Sequence, residues 1–412
     1  MKPKTGAGRS DDQLINPLWI ILPLGSALAL SLTGDNTLYA SLPVQPSAAG
    51  ITTGMVGWIL GINRVVRVIL NPLAGMLYDR NKRRPLFIIA MCLGVLSTSL
   101  YAIVDGFWPL VVARVIWGSS WALLLIGGYT IVFDITSKNS RGRFTGFFQT
   151  FYFLGGAFSV ALGGILIDIV GYRTTMWICA GITGMGTLIA LFFLPETRKN
   201  NLPPSLPNLS MSIVNFRSSF FFNRKVLAIN FANFIYFFVG NGIFMSTLGF
   251  ALVEFSKRGQ SMNFLDMASL TGILLAIWRI LSILIAPTAG ILSDKTKDRW
   301  IFSIIGLTFL FAGFVLLVIT DGLLLFITAV ILISIGSGTF YPTLAALVGD
   351  LSPPEGKSAV MGIFAAAGDI GSAAGPILAY SIITILSINI IYGMCALLIL
   401  SAIVSLWVGR VS

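Results

Sequence analysis

Apolar runs of about 20 residues recur from one end of the 412-residue chain to the other, and nothing else in it restricts the fold as tightly. A helix of that length crosses the hydrocarbon layer, and in lipid every backbone N–H and C=O must find its partner inside the segment. Hydrophobic residues make up 56% of the chain and charged residues 10%, against about 25% charged in soluble domains. The expected fold is all-α and integral to the membrane. Twelve spans are read at 17–42, 53–78, 86–104, 108–134, 144–168, 173–194, 226–253, 267–292, 300–319, 323–348, 358–383 and 387–408. The first lacks a small-residue cleavage site and is expected to be a retained helix rather than a signal peptide.

Lysine and arginine set the orientation. Lys2, Lys4, Arg9, the run Arg80–Arg84, Lys138, Arg141, Arg143, the 195–225 tract, Lys295, Lys297, Arg299, Lys357 and Arg410 all fall in the tails and even-numbered loops. The odd-numbered loops hold Arg173, Lys257 and Arg258. The positive-inside rule then places both termini in the cytoplasm and the chain in a cell (inner or plasma) membrane. The net charge of +11 is thus a topology signal, with no nucleic-acid partner implied. The expected domains are a cytoplasmic tail at 1–16, a six-helix bundle at 17–194, a cytoplasmic linker at 195–225, a second six-helix bundle at 226–408 and a short C-terminus at 409–412. The linker carries Pro203, Pro204 and Pro207, then a basic, aromatic stretch suited to a short helix lying on the inner leaflet.

The two bundles read as copies of each other. Gly75-Met76-Leu77-Tyr78-Asp79-Arg80-Asn81-Lys82-Arg83-Arg84 returns as Gly290-Ile291-Leu292-Ser293-Asp294-Lys295-Thr296-Lys297-Asp298-Arg299. Arg64 and Pro72 precede the first copy as Arg279 and Pro287 precede the second, at one constant spacing. Gly34-Asp35-Asn36 aligns with Gly240-Asn241-Gly242, Asp105-Gly106 with Asp321-Gly322, and Asp134 and Gly146 with Asp350 and Gly362. A loop stated twice in a polytopic chain points to duplication and to two pseudo-symmetric halves. The first loop resembles the G-x-L-x-D-R-x-G-R-R motif between the second and third helices of major facilitator superfamily (MFS) transporters, without the motif's inner glycine. Pro195-Glu196-Thr197-Arg198 is similar to the end of helix 6 in many members. The resemblance covers essentially the whole chain, nearest to the twelve-helix drug/proton antiporter-like branch. It implies alternating access about a midplane site, with no cofactor and no metal.

Ionisable groups inside spans cost about 3 kcal/mol or more unless they meet a partner or water. Asp35 and Arg114 each lie about 10 Å below the outer surface, counted from the ends of helices 1 and 4. Arg114-Val115-Ile116-Trp117-Gly118 resembles the helix-4 R-x-x-x-G of proton-coupled members, so Asp35 and Arg114 are proton-coupling candidates. Fixed ion pairing is the plainer reading. Arg64, Arg279 and Asp369 fall near the midplane, with Arg67 one turn from Arg64. These arginines could receive an anionic substrate group, or bind helix carbonyls and carboxylates to hold the halves together. Asp369 is a further coupling candidate, and similar depth on helices 2 and 11 predicts an Arg64–Asp369 pair. Further substrate-binding candidates are Asn241 and the aromatic residues Tyr39, Trp117, Trp121, Tyr236, Phe244 and Tyr341, on helices 1, 4, 7 and 10. In the resembled family the cytoplasmic loops gate the inner mouth. That implies a gating role for Gly75, Asp79, Arg80, Arg83, Arg84, Asp134, Arg141, Arg143, Gly290, Asp294 and Lys295, although a basic loop alone can be a topology signal only.

The expected function is secondary active transport, with proton-coupled export of an amphipathic or anionic organic compound. Uptake or exchange of a small organic anion and flipping of a lipid or lysolipid are the alternatives. Helix 5 lacks the Gly-Pro pair of drug antiporters, having Ser159-Val160-Ala161-Leu162-Gly163-Gly164 instead, which counts against antiport. Histidine is absent and no nucleophile–base cluster is visible, so an enzyme is not expected. A sensor would need a soluble output domain, and no Walker-type motif supports ATP-driven pumping. Cys92, Cys179 and Cys395 lie in separate spans, which excludes a disulfide framework. The expected partners are a small-molecule or lipid-like substrate, the proton and the bilayer, with the protein a monomer.

Overall fold

The computed structural model describes residues 17–137, 140–198, 223–257, 267–320, 322–352 and 357–411. The tail at 1–16, most of the 195–225 linker, Lys138, Arg258, Asp321 and Ser412 lie outside the described residues, as do the side chains at 357–359. Twelve helices long and apolar enough to span a membrane run in the described chain. They are α1 (Leu18–Ser41), α2 (Thr53–Arg80), α3 (Arg83–Ile103), α4 (Phe107–Ile135), α5 (Arg141–Val170), α6 (Tyr172–Phe193), α7 (Arg224–Lys257), α8 (Met267–Thr296), α9 (Arg299–Ile319), α10 (Leu323–Leu351), α11 (Lys357–Ile382) and α12 (Ile388–Val411). A single turn of 3-10 helix at Pro46–Ala49 joins α1 to α2. The expected spans all exist, and most ends agree to within three residues; α7 runs on to Lys257 and α8 to Thr296. The loop helices extend past the apolar runs because their last turns reach into the aqueous phase.

Each half closes on itself. In the first, α1 packs on α5 and α6, and α3 on α4 and α6; in the second, α9 packs on α10 and α12. The halves meet along two seams, α2 against α11 and α5 against α8. With no hydrophobic drive between helices in lipid, close approach of small residues supplies the association. Gly57 and Gly61 of α2 face Pro376, Ala373 and Ile377 of α11, while Gly164 of α5 and Gly272 of α8 face backbone of each other's helix. A Cβ at any of these four would come closer than 3.0 Å to its neighbour.

These contacts lie toward the end away from the basic loops. There a single apolar core runs from Leu38, Val56 and Leu60 of the first half to Leu248, Leu252 and Tyr380 of the second. Toward the other end the halves enclose an open cavity, lined by Tyr129 and Gln149 of the first half and Ala286, Pro287 and Pro342 of the second. The molecule is therefore sealed at one end and parted at the end that carries the basic loops.

One helix departs from regular geometry. Residues Phe237–Phe244 of α7 are π-helical. The stretch contains Gly240-Asn241-Gly242, and Gly242 lies against Gly375 of α11, where a Cβ would come 2.9 Å from the Gly375 Cα. Two glycines let α11 press against the helix, and the Asn241 carbonyl within the π stretch accepts from Arg64 of α2.

Candidate functional site

A cavity of about 480 Å³ lies between the halves. Tyr129 of α4 and Gln149, Tyr152 and Phe153 of α5 form one wall. The other comes from Tyr236 and Asn241 of α7, Trp278 to Pro287 of α8, and Ser337 to Pro342 of α10. Its volume falls in the range of small-molecule sites, roughly 300–1,000 Å³. The aromatic rings are buttressed from behind. Trp121 backs Tyr152 at 5.5 Å, Phe340 backs Tyr236 at 4.9 Å, and Phe364 stacks on Tyr341 at 6.2 Å. Gln149 donates to the Tyr129 hydroxyl at 2.9 Å.

Beyond the cavity, near mid-span, four arginines face two aspartates. Arg114, wholly buried, forms an ion pair with Asp35 and donates to the carbonyls of Ile59 at 2.8 Å and Leu60 at 3.4 Å. Asn63 donates to the same Asp35 oxygen at 3.3 Å. Asp35 of α1 thereby accepts from two donors and is tied to α2 directly through Asn63 and indirectly through Arg114. Arg64 is buried and crosses the seam, donating to Asn241 O at 3.0 Å and Ser372 O at 3.1 Å, with Tyr39 beneath it at 5.8 Å. Asp369 pairs with Arg67 at 3.1 Å. The expected Arg64–Asp369 bridge is thus replaced by its neighbour one turn away: Arg67 faces α11 at the carboxylate, while Arg64 faces the carbonyls that the π turn and Ser372 expose.

Arg279 differs from the other three. It lines the cavity, lies against Gly156 of α5, and among the described residues its one hydrogen bond is to Met245 Sδ at 3.4 Å. Arg64 reaches the same sulfur at 3.7 Å, so Met245 separates the two symmetry-related arginines. A thioether is a weak acceptor, and Arg279 is partly open to the cavity, where a ligand or water can meet its other donors.

The remaining candidates divide. Tyr236, Asn241 and Tyr341 line the cavity with Arg279. Tyr39 and Trp117 are buried at 1% exposure, and Tyr39 donates to Leu60 O at 3.3 Å. Phe244 is buried between Trp278 and Phe314, inside the second half rather than on the cavity. Trp121 sits behind the wall. Tyr129, Gln149, Tyr152, Trp278 and Ser337 are among the other lining residues and are not in the expected set of site candidates. Their signal was present but weak: an aromatic or polar residue on α4, α5, α8 or α10 has no mark that separates a cavity face from a packing face.

At the parted end the loop charges pair within each half. Arg83 holds Asp134 at 3.1 Å, and Arg299 holds Asp294 at 2.9 Å and Asp350 at 3.0 Å. Arg141, expected beside Asp134, instead lies over the Phe133 ring, and Arg143 lies over Phe144. Asp350, the counterpart of Asp134 in the second half, thus meets Arg299, and the side chain of Lys357 lies outside the described residues. Asp79, Arg80 and Lys295 are exposed, and no ion pair of theirs is seen among the described residues. Glu196, absent from the expected set, accepts from the backbone N–H of Arg83 at 3.0 Å and Arg84 at 3.2 Å, which are the first residues of α3. Partial burial raises its pKa, but the backbone donors of Arg198, Arg83, Arg84 and Thr197 outweigh that and hold it below the usual carboxylate value.

Known proteins share this architecture. The nucleoside transporter NupG superposes with a TM-score of 0.74 at 15% identity, over 96% of this chain and 98% of that one. A bacterial homologue of the human lysosomal transporter Spinster, inward-facing and occupied, gives 0.71 at 14% over 95% and 94%. The human organic anion transporter MFSD10 gives 0.65 at 17% over 95% and 99%. In sequence, an uncharacterised MFS-type transporter of Methanocaldococcus jannaschii is 23% identical over 93% of this chain and 94% of its own length. The class G tetracycline resistance protein of Vibrio anguillarum is 27% identical over 42% of this chain and 46% of its own. The Aspergillus niger Citrate exporter 1 is 23% identical over 44% of this chain and 34% of its own, so both of these proteins match over less than half their length. The Major Facilitator Superfamily model matches residues 24–320 and 265–411, and with twelve spans in two joined bundles the chain belongs to this superfamily of membrane transporters.

Proposed function

We propose that this protein is a secondary active transporter that exports an amphipathic, anionic organic compound in exchange for protons, by alternating access. One observation carries the anionic half of that reading: Arg279 lines the cavity with only a thioether to accept its hydrogen bond. A cation near mid-span that opens onto a cavity and has a weak thioether acceptor gains a full partner from an anionic substrate group.

Asp35 supports the proton half. Its carboxylate is the acid that Arg114 and Asn63 address, and both donors act on α2: Asn63 belongs to it, and Arg114 binds its carbonyls. The same helix carries Arg64 and Arg67 across the seam to α7 and α11. Protonating Asp35 removes the charge that fixes Arg114 and frees α2 to shift against α11. A proton on α1 is thereby coupled to the contact between the halves. The state shown here, parted at the basic-loop end, is the one that receives substrate from the cytoplasm if that end is inside. Similarity to tetracycline-resistance and citrate-export proteins agrees with the outward direction.

Reconstituted protein tests the reading. A proton gradient across the liposome membrane should drive uphill movement of an organic anion, and Asp35→Asn should abolish uphill movement while leaving binding. Uphill transport that persists unchanged in Asp35→Asn would refute the coupling role and turn attention to Asp369.

A further inference from the structure

We infer that the cavity selects a planar aromatic monoanion, a carboxylate or sulfonate carried on a fused or substituted aromatic ring. This rests on the proposed reading of the cavity as the transport site and narrows its substrate class.

The charge count comes first. Of the four mid-span arginines, Arg114 and Arg67 are each matched by an aspartate, and Arg64 is satisfied by two backbone carbonyls. Both aspartates are therefore taken. Asp369, the carboxylate within electrostatic reach of Tyr341, is held by Arg67. Among the described residues lining the cavity, Arg279 is the only charged one. A single cation among uncharged walls suits one negative charge. A dianion would bring a second charge with no partner, and a cation would be repelled.

The walls then specify the body. Tyr129, Tyr152 and Phe153 on one half oppose Tyr236, Trp278 and Tyr341 on the other. Their rings are fixed by the buttressing rings, so ring faces and edges are presented rather than flexible aliphatic chains. Aromatic rings gain offset-stacked and edge-to-face contacts there that a saturated ring of equal area does not. Tyr236 and Tyr341 stack on each other with an interplanar angle of 17°, and they line the cavity together with Asn241 and Arg279. The volume, about 480 Å³, lies in the range of small-molecule sites and admits two or three fused rings.

The test uses purified full-length protein and three probes of matched size: 2-naphthoate, decalin-2-carboxylate and 2-naphthylmethylammonium. Binding is read by equilibrium dialysis and by thermal stabilisation. Naphthoate should bind about tenfold or more tighter than the saturated carboxylate, and the ammonium should bind no better than background. Arg279→Gln should weaken naphthoate by about tenfold or more, and Arg279→Lys should recover part of that loss. The three-probe ranking on the unaltered protein keeps the inference falsifiable even if a variant fails to fold. Equal affinity for the two carboxylates overturns the aromatic preference and leaves anion transport standing. Preference for the ammonium, with no response to Arg279→Gln, overturns the anionic reading as well. Absence of naphthoate binding overturns the inference.

Discussion

Arg64 and Arg67 show how much a single helical turn decides. Both sit on α2 within reach of α11, and depth counted from the sequence assigns Asp369 to Arg64, with Arg67 one turn, about 4.5 Å, deeper. Rotation about the helix axis separates them, and counting cannot fix rotation without knowing where the partner helix lies. The structure gives Asp369 to Arg67 and two carbonyls to Arg64. Removing one member of a partly buried pair strands the other, so Arg67→Gln and Asp369→Asn should each impair transport and lower thermal stability. The double variant should be milder than the sum of the two by about 0.5–3 kcal/mol. Arg64→Gln combined with Asp369→Asn should instead be nearly additive, since the two share no contact. A full thermodynamic cycle in melting temperature and transport rate measures both; additivity in the Arg67 cycle would show the bridge contributes nothing. By contrast, the Asp35–Arg114 pair was legible from sequence because few acids occur in the spans and the two depths match.

At the scale of elements, helix existence was legible and helix irregularity was not. Twelve apolar runs fix twelve helices, since lipid leaves the backbone no other way to satisfy itself. The π turn of α7 depends on α11 pressing against Gly242, a tertiary cause that only the Gly-Asn-Gly triplet hints at. The start of α3 is another tertiary feature. Its first backbone N–H groups, at Arg83 and Arg84, are accepted by Glu196, which follows α6 more than a hundred residues later. An acid at a helix N-terminus is stabilising, and here it also ties the beginning of the linker to the first motif loop. The Glu196 pKa lies below its unfolded value of about 4.3, so its contribution is present above that value and disappears as pH falls through the folded pKa. Glu196→Gln should therefore lower thermal stability at pH 7, by an amount on the order of a few tenths to 1 kcal/mol. The difference from the unaltered protein should shrink below about pH 4.3 and vanish in stronger acid. Melting curves of both proteins across that range supply the check, and a difference independent of pH would assign the effect to packing instead.

For the molecule as a whole, the duplication predicted two halves, and the seams show how they are held in the state described. Closure at the end away from the basic loops depends on glycine: Gly57 and Gly61 let α2 meet α11, while Gly164 and Gly272 let α5 meet α8. Asp168 of α5 adds a hydrogen bond from the Ser269 N–H at 2.6 Å, at the start of α8. The repeated motif loops, by contrast, stand apart, with Asp79 exposed and Gly75 and Gly290 facing open space. Alternating access requires the reverse arrangement as well, in which the glycine seam parts and the motif loops meet. A bulky side chain in the seam should exclude the present state and retain the other, because interdigitated helix faces cannot absorb an extra ring. Gly164→Trp and Gly57→Trp should each shorten spin-label distances between the α2–α3 and α8–α9 loops and lengthen those across the opposite end. Gly75→Trp should leave the present state intact, since nothing lies within 4 Å of that glycine, but should hinder the motif loops from closing. Opposite shifts from substitutions at the two ends are what a rocking pair of bundles demands. If Gly164→Trp and Gly75→Trp moved the distances in the same direction, or if neither moved them, the seam would be passive packing and the gate would lie elsewhere.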